Sequence, residues 1–215
     1  MIPLAHDFTD ESVLVFGGGR VGARKARRFA AEARVVVVSP AFADDDFGDA
    51  ERVRDAPDAD GVREWISRVD PALVVAATDD SAVNDAAVEA ARDAGALVNR
   101  ADESGGRDFG SVTVPATVAD DPVSIAISTG GASPALAKYL RERIEAEVEG
   151  AGAMAALTGE IRAELKDADV SPDDRRRAVR RLVRDPSVWK ALRTGRTNPR
   201  REAESVLADE LGWSP

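Results

Sequence analysis

Apolar residues follow two rhythms along this chain, and the rhythm changes near its middle. In the first half they gather into short unbroken runs: Leu14 to Phe16, Val35 to Val38, Leu73 to Ala77 and Leu97-Val98. Such runs, separated by stretches of helical periodicity, predict parallel strands covered on both faces. The intervening helices are read at Ala23 to Ala33 and from Ser81, where Val83, Ala87, Val88 and Ala91 share a face before Gly95 ends the pattern. Asp79 and Ser81 are read as caps of that helix. Residues 43–61 are acidic and punctuated by Pro57 and Gly61, so they predict a solvent-facing connection with at most a short strand at Arg52 to Arg54. Trp65 and Ile66 belong to a short helix or turn after it.

Past the polar, glycine-rich loop Glu103 to Gly110, apolar positions alternate over Ser111 to Pro115 and Val123 to Ser128, joined by the acidic turn Ala119 to Pro122. A helix then runs from Ala135 to Val148, with Ser133 as its N-cap and Pro134 as its first residue. Leu136, Tyr139, Leu140, Ile144 and Val148 line one face of it. Gly150 and Gly152 mark a boundary, and the rest is helical: Ala153 to Lys166, Pro172 to Arg184, a turn around Trp189, and Arg201 to Leu211. The fold class is therefore α/β: a Rossmann-like domain over residues 1–112, a small strand-and-helix segment over 113–150 and a helical region over 151–215.

The first strand ends in Gly17-Gly18-Gly19-Arg20-Val21-Gly22, where Gly17, Gly19 and Gly22 fit the G-x-G-x-x-G spacing of a dinucleotide-binding turn. The first glycine permits the sharp turn, the second lets the backbone approach a pyrophosphate, and the third lets the helix lie close to its strand. Ser39 and Pro40 stand at the end of the second strand, where many NAD-binding domains carry an acid for the ribose. Ser39 can hydrogen-bond a ribose without charge, and no Arg follows at once to hold a 2′-phosphate, which favours NAD over NADP. Thr78 lies at the carboxyl end of a strand, where open α/β sheets bind ligands.

Composition narrows the chemistry. With no Cys and a single His, His6, the chain has no disulfide framework, no thiolate nucleophile and no pair of imidazoles. The net charge of −10 argues against nucleic-acid partners, so the arginine run at 175–181 is read as a solvated, salt-bridged face. Lys25, Lys138, Lys166 and Lys190 are the only lysines, and the acids number 39; abundant Asp with scarce Lys is a halophile-like balance. No apolar run approaches membrane-spanning length and the first residues lack a signal-peptide pattern, so a cytoplasmic protein with no membrane partner is expected.

Three motifs stand in order: GGGRVGARKA at the first turn, AATDD after the fourth strand, and VNRAD followed by ISTGGASPALAKYLRE. This order resembles the precorrin-2 dehydrogenase family, the siroheme-forming enzymes found alone or as the N-terminal half of siroheme synthase. The likeness is close over residues 1–150; beyond them it extends only to helical character. It implies an NAD-binding domain, a central segment forming a homodimer, and helices covering a tetrapyrrole site. It further implies that NAD⁺ takes a hydride from precorrin-2 to give sirohydrochlorin, with Fe²⁺ insertion in some members and no resident metal. By motif position, Gly17 to Gly22 with Arg20 and Val21, and Ala41 and Phe42 after strand two, match the family's cofactor contacts. Asp102 matches its active-site aspartate, a carboxylate suited to accept the proton released with the hydride. For a substrate with many carboxylates, Arg100, Arg107 and Arg141 are candidate anchors, together with the amides of Gly130, Gly131 and Ser133 at a helix start. The chain departs from the family in a longer loop between Asp102 and Pro115 and in Thr129 where some members carry serine. It ends at Pro215 with no methyltransferase domain, so synthesis of precorrin-2 is not expected of it. A non-catalytic NAD-sensing domain of a transport system is the alternative; such domains usually carry the acid that Ser39 replaces.

Overall fold

A computed structural model describes residues 3–101 and 111–211. The chain divides into two compact units, residues 1–114 and 115–215. In the first, five parallel strands form one sheet: β1 (Ser12–Phe16), β2 (Arg34–Ser39), β3 (Glu51–Arg54), β4 (Leu73–Ala76) and β5 (Leu97–Arg100), in the order β3-β2-β1-β4-β5. Helices α1 (Arg20–Phe29), α2 (Ala59–Val69) and α3 (Ser81–Asp93) cover it.

The unbroken valine runs follow from burial on both faces. Leu14, Phe16, Val36, Val38, Val74 and Ala76 point into a core shared with Val62 and Ile66 of α2 and Ala87 and Ala91 of α3. Val13, Val15, Val35, Val37, Leu73 and Val75 point the other way, onto Ala23, Ala26 and Phe29 of α1. Alternate residues of each strand thus serve opposite cores, which is why these runs are unbroken.

Two boundaries differ from expectation here. Ser111 to Pro115 is not half of a hairpin. Val112 donates its N–H to Val98 O at 2.7 Å, and Val112 and Val114 pack on the α1 side of the sheet. The residues around Trp65 form a full helix, α2, whose start is capped by Asp58 accepting from Gly61 N–H at 3.0 Å.

The second unit opens with an antiparallel hairpin, β6 (Ala116–Asp120) and β7 (Val123–Ile127), turning at Asp121-Pro122. Helices α4 (Pro134–Glu147), α5 (Ala151–Asp167), α6 (Pro172–Val183), α7 (Pro186–Thr194) and α8 (Pro199–Leu211) follow. The expected turn around Trp189 is a helix, with Pro186 in its first turn and Asp185 as its cap. Met154, Leu157, Ile161 and Leu165 of α5 form a core with Leu182 of α6, Val188 of α7 and Leu207 of α8. The boundary expected at 150 falls inside this unit. Gly152 sits so close to the hairpin that a Cβ there would lie 2.2 Å from Asp121 O, and its N–H donates to the Asp120 carboxylate at 3.1 Å. The arginine run is ion-paired: Arg176 meets Asp173 at 3.0 Å, and Arg177 meets Asp174 at 2.5 Å. No helix among the described residues is long and apolar enough to cross a membrane.

Candidate dinucleotide site

The turn between β1 and α1 is built by close approach. Gly17 has φ +117°, a conformation that side chains other than glycine rarely adopt, and its N–H donates to Val38 O at 3.0 Å. A Cβ at Gly17 would lie 2.3 Å from Ala77 O, one at Gly18 2.2 Å from Ala41 O, and one at Gly22 1.9 Å from Gly17 O. These three glycines shape the protein itself. Gly19 differs: a Cβ there would meet nothing within 4 Å.

Gly19 is also the N-cap of α1, and it supplies no side-chain hydrogen bond to the helix start. Asp58, Asp80, Ser133, Ser171 and Asp185 each cap their own helices with a side chain. The first turn of α1 therefore presents its unsatisfied N–H groups and the positive end of its dipole to whatever lies beyond Gly19. What lies there is a cavity of about 610 Å³ at the carboxyl ends of β1, β2 and β4, walled by Gly17 to Gly19, Ser39 to Ala41, Pro57, Thr78 and Val83. Because the strand order runs outward both ways from β1, this is the point where open α/β sheets bind their ligands. The open approach at Gly19 and the uncapped donors fit the diphosphate of a dinucleotide.

Of the candidate cofactor contacts, Gly17 to Gly19, Ser39 to Ala41 and Thr78 line this cavity, whereas Arg20, Val21, Gly22 and Phe42 stand outside its lining. Ser39 is buried at its wall, and Pro40 and Ala41 form the adjoining rim. Phe42 packs beside Gly18 and meets Phe47 edge-on at 5.6 Å between ring centres. Arg20 and Val21 stand exposed at the start of α1, Arg20 lying 3.8 Å from Asp45. Farther along α1, burial and the neighbouring Arg24 and Arg28 lower the Lys25 amine to about 8.

Thr78 is fixed by a residue that sequence reasoning missed. Asn84, buried in α3, donates to Thr78 O at 3.0 Å and accepts from the Thr78 hydroxyl at 2.7 Å and from its N–H at 3.2 Å. The cap of α3 is Asp80, whose carboxylate accepts from Ala82 and Val83 N–H groups; neither Asp79 nor Ser81 takes that place. Asn84 thus sets the cavity's β4 rim from behind. Replacing Asn84 with Ala removes the partner of the Thr78 N–H and carbonyl, while the Thr78 hydroxyl keeps its bonds to Asp80, and we expect a loss of about 2 kcal/mol in chemical denaturation. The same variant should bind dinucleotide more weakly, whereas Ser81→Ala should change neither quantity.

The remaining candidates lie elsewhere. Asp102 and Arg107 fall outside the described residues. Arg100 turns to α3, where its guanidinium meets Asp85 at 2.5 Å. In the second unit Arg141 pairs with Glu145 at 2.7 Å along α4. Gly130 and Gly131 adopt φ +68° and +85°, and Ser133 caps α4 by accepting from Leu136 N–H at 3.2 Å. Gly130, Ala132 and Ser133 N–H groups bond to Ser128 Oγ, Thr129 O and Thr129 Oγ1. Most of that turn's amides are therefore spent on the turn.

Residues 4–116 match the NAD(P)-binding domain family, and residues 120–147 match the family described as sirohaem biosynthesis protein central. Siroheme synthase 1 of Aeromonas salmonicida is 34% identical over 98% of this chain, and the siroheme synthase of Nitrosospira multiformis 37% identical over 86%. The chain spans less than half the length of each, 45% and 40%. The precorrin-2 dehydrogenase of Methanosarcina barkeri is 29% identical, the match covering 98% of this chain and 95% of that one. A solved structure titled SirC, precorrin-2 dehydrogenase, has the same fold, with TM-score 0.68 at 24% identity over 97% of this chain and 100% of that one. By its glycine turn, its central segment and these likenesses, the chain belongs to the precorrin-2 dehydrogenase and siroheme synthase family.

Proposed function

We propose that this chain oxidises precorrin-2 to sirohydrochlorin in siroheme biosynthesis, with NAD⁺ as the hydride acceptor. The observation that carries the reading is the uncapped start of α1 behind an open Gly19, facing a cavity at the sheet's switch point. The likeness to a precorrin-2 dehydrogenase along nearly the whole of both chains supplies the substrate.

Bound NAD⁺ accepts two electrons and one hydrogen nucleus as hydride; the macrocycle gives up that hydride and one proton. The protein's tasks are to hold the dinucleotide at the α1 start, to bring the tetrapyrrole to the nicotinamide, and to accept the proton. We assign the proton to the Asp102 carboxylate, and substrate carboxylates to Arg107, to Arg100 and Arg141 in exchange for their acidic partners, and to the turn at Gly130 to Ser133. We assign cofactor binding to residues 1–112, pairing to 113–150 and covering of the substrate to 151–215. For the pairing we assign a second copy of this chain to α4, which buries none of its residues and leaves Leu136 and Tyr139 about half exposed. Light scattering should give twice the chain mass, and one chain mass for Tyr139→Arg. We place the reaction in the cytoplasm.

The decisive experiment mixes the protein, NAD⁺ and freshly made precorrin-2 in concentrated KCl and follows absorbance. Sirohydrochlorin should appear with one NADH per turnover, and Asp102→Asn should slow it about a hundredfold while NAD⁺ binding is retained. A folded sample that binds NAD⁺ yet gives no NADH would refute the reading. Adding Fe²⁺ to sirohydrochlorin without NAD⁺ tests chelation separately, with Fe²⁺ as substrate.

A further inference from the structure

Beside the cofactor cavity lies a second cleft, of about 450 Å³, lined by Phe42, Ala43, Asp44, Arg52 and Arg54. The two share one loop: Ser39 to Ala41 wall the cavity, and the next three residues wall the cleft. We infer that this cleft receives a phosphate on the adenosine ribose, with Arg54 as its principal partner, so that the chain binds NADP⁺ as well as NAD⁺. The inference rests on the reading of the cavity as a dinucleotide site.

The sheet register carries the argument. In the parallel pair β2–β3, Ser39 is the register partner of Arg54, and Asp55 N–H donates to Ser39 O at 3.2 Å. Arg54 thus stands one strand away from the residue expected at the ribose, about 4.8 Å between backbones. Arg52, two residues earlier, shares its face of the strand. The Arg52 guanidinium lies over Phe42 and Phe47, 5.9 and 5.5 Å from their ring centres, which holds it at the cleft wall. Arg54 is exposed and, among the described residues, meets no carboxylate. Arg20, Arg27 and Arg34 of the same unit, by contrast, each face an acid.

Ser39 completes the case. An acid at the end of strand two bonds a free 2′-hydroxyl and repels a 2′-phosphate, whereas a nearby arginine accommodates the phosphate. Here the acid is absent and the arginine present, brought in by β3. Among the described residues lining the cleft, Asp44 is the one carboxylate, set against two guanidinium groups. A phosphate there gains a planar, permanently charged donor fork from Arg54.

Calorimetric titration of the full chain with NAD⁺ and NADP⁺, at one KCl concentration, tests this without turnover. NADP⁺ should bind as tightly as NAD⁺ or more tightly, and adenosine 2′,5′-bisphosphate should outbind AMP. Arg54→Ala should weaken NADP⁺ about tenfold and leave NAD⁺ unchanged, with Arg54→Lys restoring part of the loss. Ser39→Asp should weaken NADP⁺ more than NAD⁺. Wild-type protein that binds NAD⁺ but binds NADP⁺ at least about tenfold more weakly overturns the inference, as does an Arg54→Ala variant that shifts both dinucleotides equally. Failure of both dinucleotides to bind wild-type protein overturns the cavity reading beneath it.

Discussion

Gly22→Ala should strongly destabilise the first unit, while Gly19→Ala should leave it intact and weaken its affinity for dinucleotide. The two positions belong to one sequence motif but stand in opposite surroundings. A Cβ at Gly22 would lie 1.9 Å from Gly17 O, a backbone atom that cannot retreat without moving the end of β1, because Gly17 N–H is tied to Val38 O. Relief requires α1 to lift from the sheet, uncovering Val13, Val15 and Val37, which are fully buried. We expect a loss of about 4 kcal/mol, at the severe end for a single substitution. At Gly19 the added methyl meets nothing in the protein, so stability should change by about 0.5 kcal/mol at most. It projects, however, into the space through which a pyrophosphate must reach the free N–H groups of α1, and affinity should fall about tenfold or more. Thermal melts and dinucleotide titrations of both variants check the pair. Unchanged affinity in Gly19→Ala would mean that the ligand does not sit against this turn.

The sheet was legible because its chemistry is local. Strands buried on two faces are apolar along most of their length, and the valine runs announce themselves without reference to the rest of the chain. What stayed hidden depends on pairing. Ser111 to Pro115 and Ala116 to Asp120 both alternate; only the register of Ala116 with Ile127 and Asp120 with Val123 decides which is the hairpin strand. The cap in Thr78-Asp79-Asp80-Ser81 could fall on any of several side chains, and Asp80 takes it while Asn84 holds the turn from the next helical turn. Arg54 lies 15 positions from Ser39 and meets it only across the sheet, so a search of the residues just after strand two could not find it. The glycine motif was readable as a motif, but the sequence does not show that Gly19 alone faces open space. Of the candidate substrate groups, Arg100 and Arg141 are long, flexible cations in an acid-rich chain, and the acids nearest in space, Asp85 and Glu145, took them.

In the second unit a large loss should come from Asp185→Ala, at the corner where α6 gives way to α7. The Asp185 carboxylate accepts from Ser187 N–H at 2.9 Å and from the Ser187 hydroxyl at 2.6 Å, and its other oxygen lies 2.9 Å from the Arg181 guanidinium. The residue is buried, and the helix it starts carries Val188 into the core beside Ile161 and Leu182. Alanine removes the cap, leaves the Ser187 donors unpaired and loosens the corner that aims Val188 and Trp189. Cap loss contributes about 1 kcal/mol and the stranded donors about 1–2 more, so about 2–3 kcal/mol in denaturant unfolding is expected. The loss should depend on pH in one direction. Ser187 and then Arg181 hold the Asp185 carboxyl below its ordinary value in the folded chain. Its charged form therefore stabilises the fold fully above the unfolded aspartate value near 4 and ceases to do so as pH falls through the lower folded value. The gap between wild type and variant should be constant from about pH 7 to pH 5 and narrow only below about pH 4. Asp185→Asn keeps an acceptor for Ser187 without the charge; its smaller deficit should also narrow as acid neutralises the wild-type carboxylate. A variant whose deficit persists unchanged through acid would show that the corner is held by packing of Val188 and Trp189, with the carboxylate incidental.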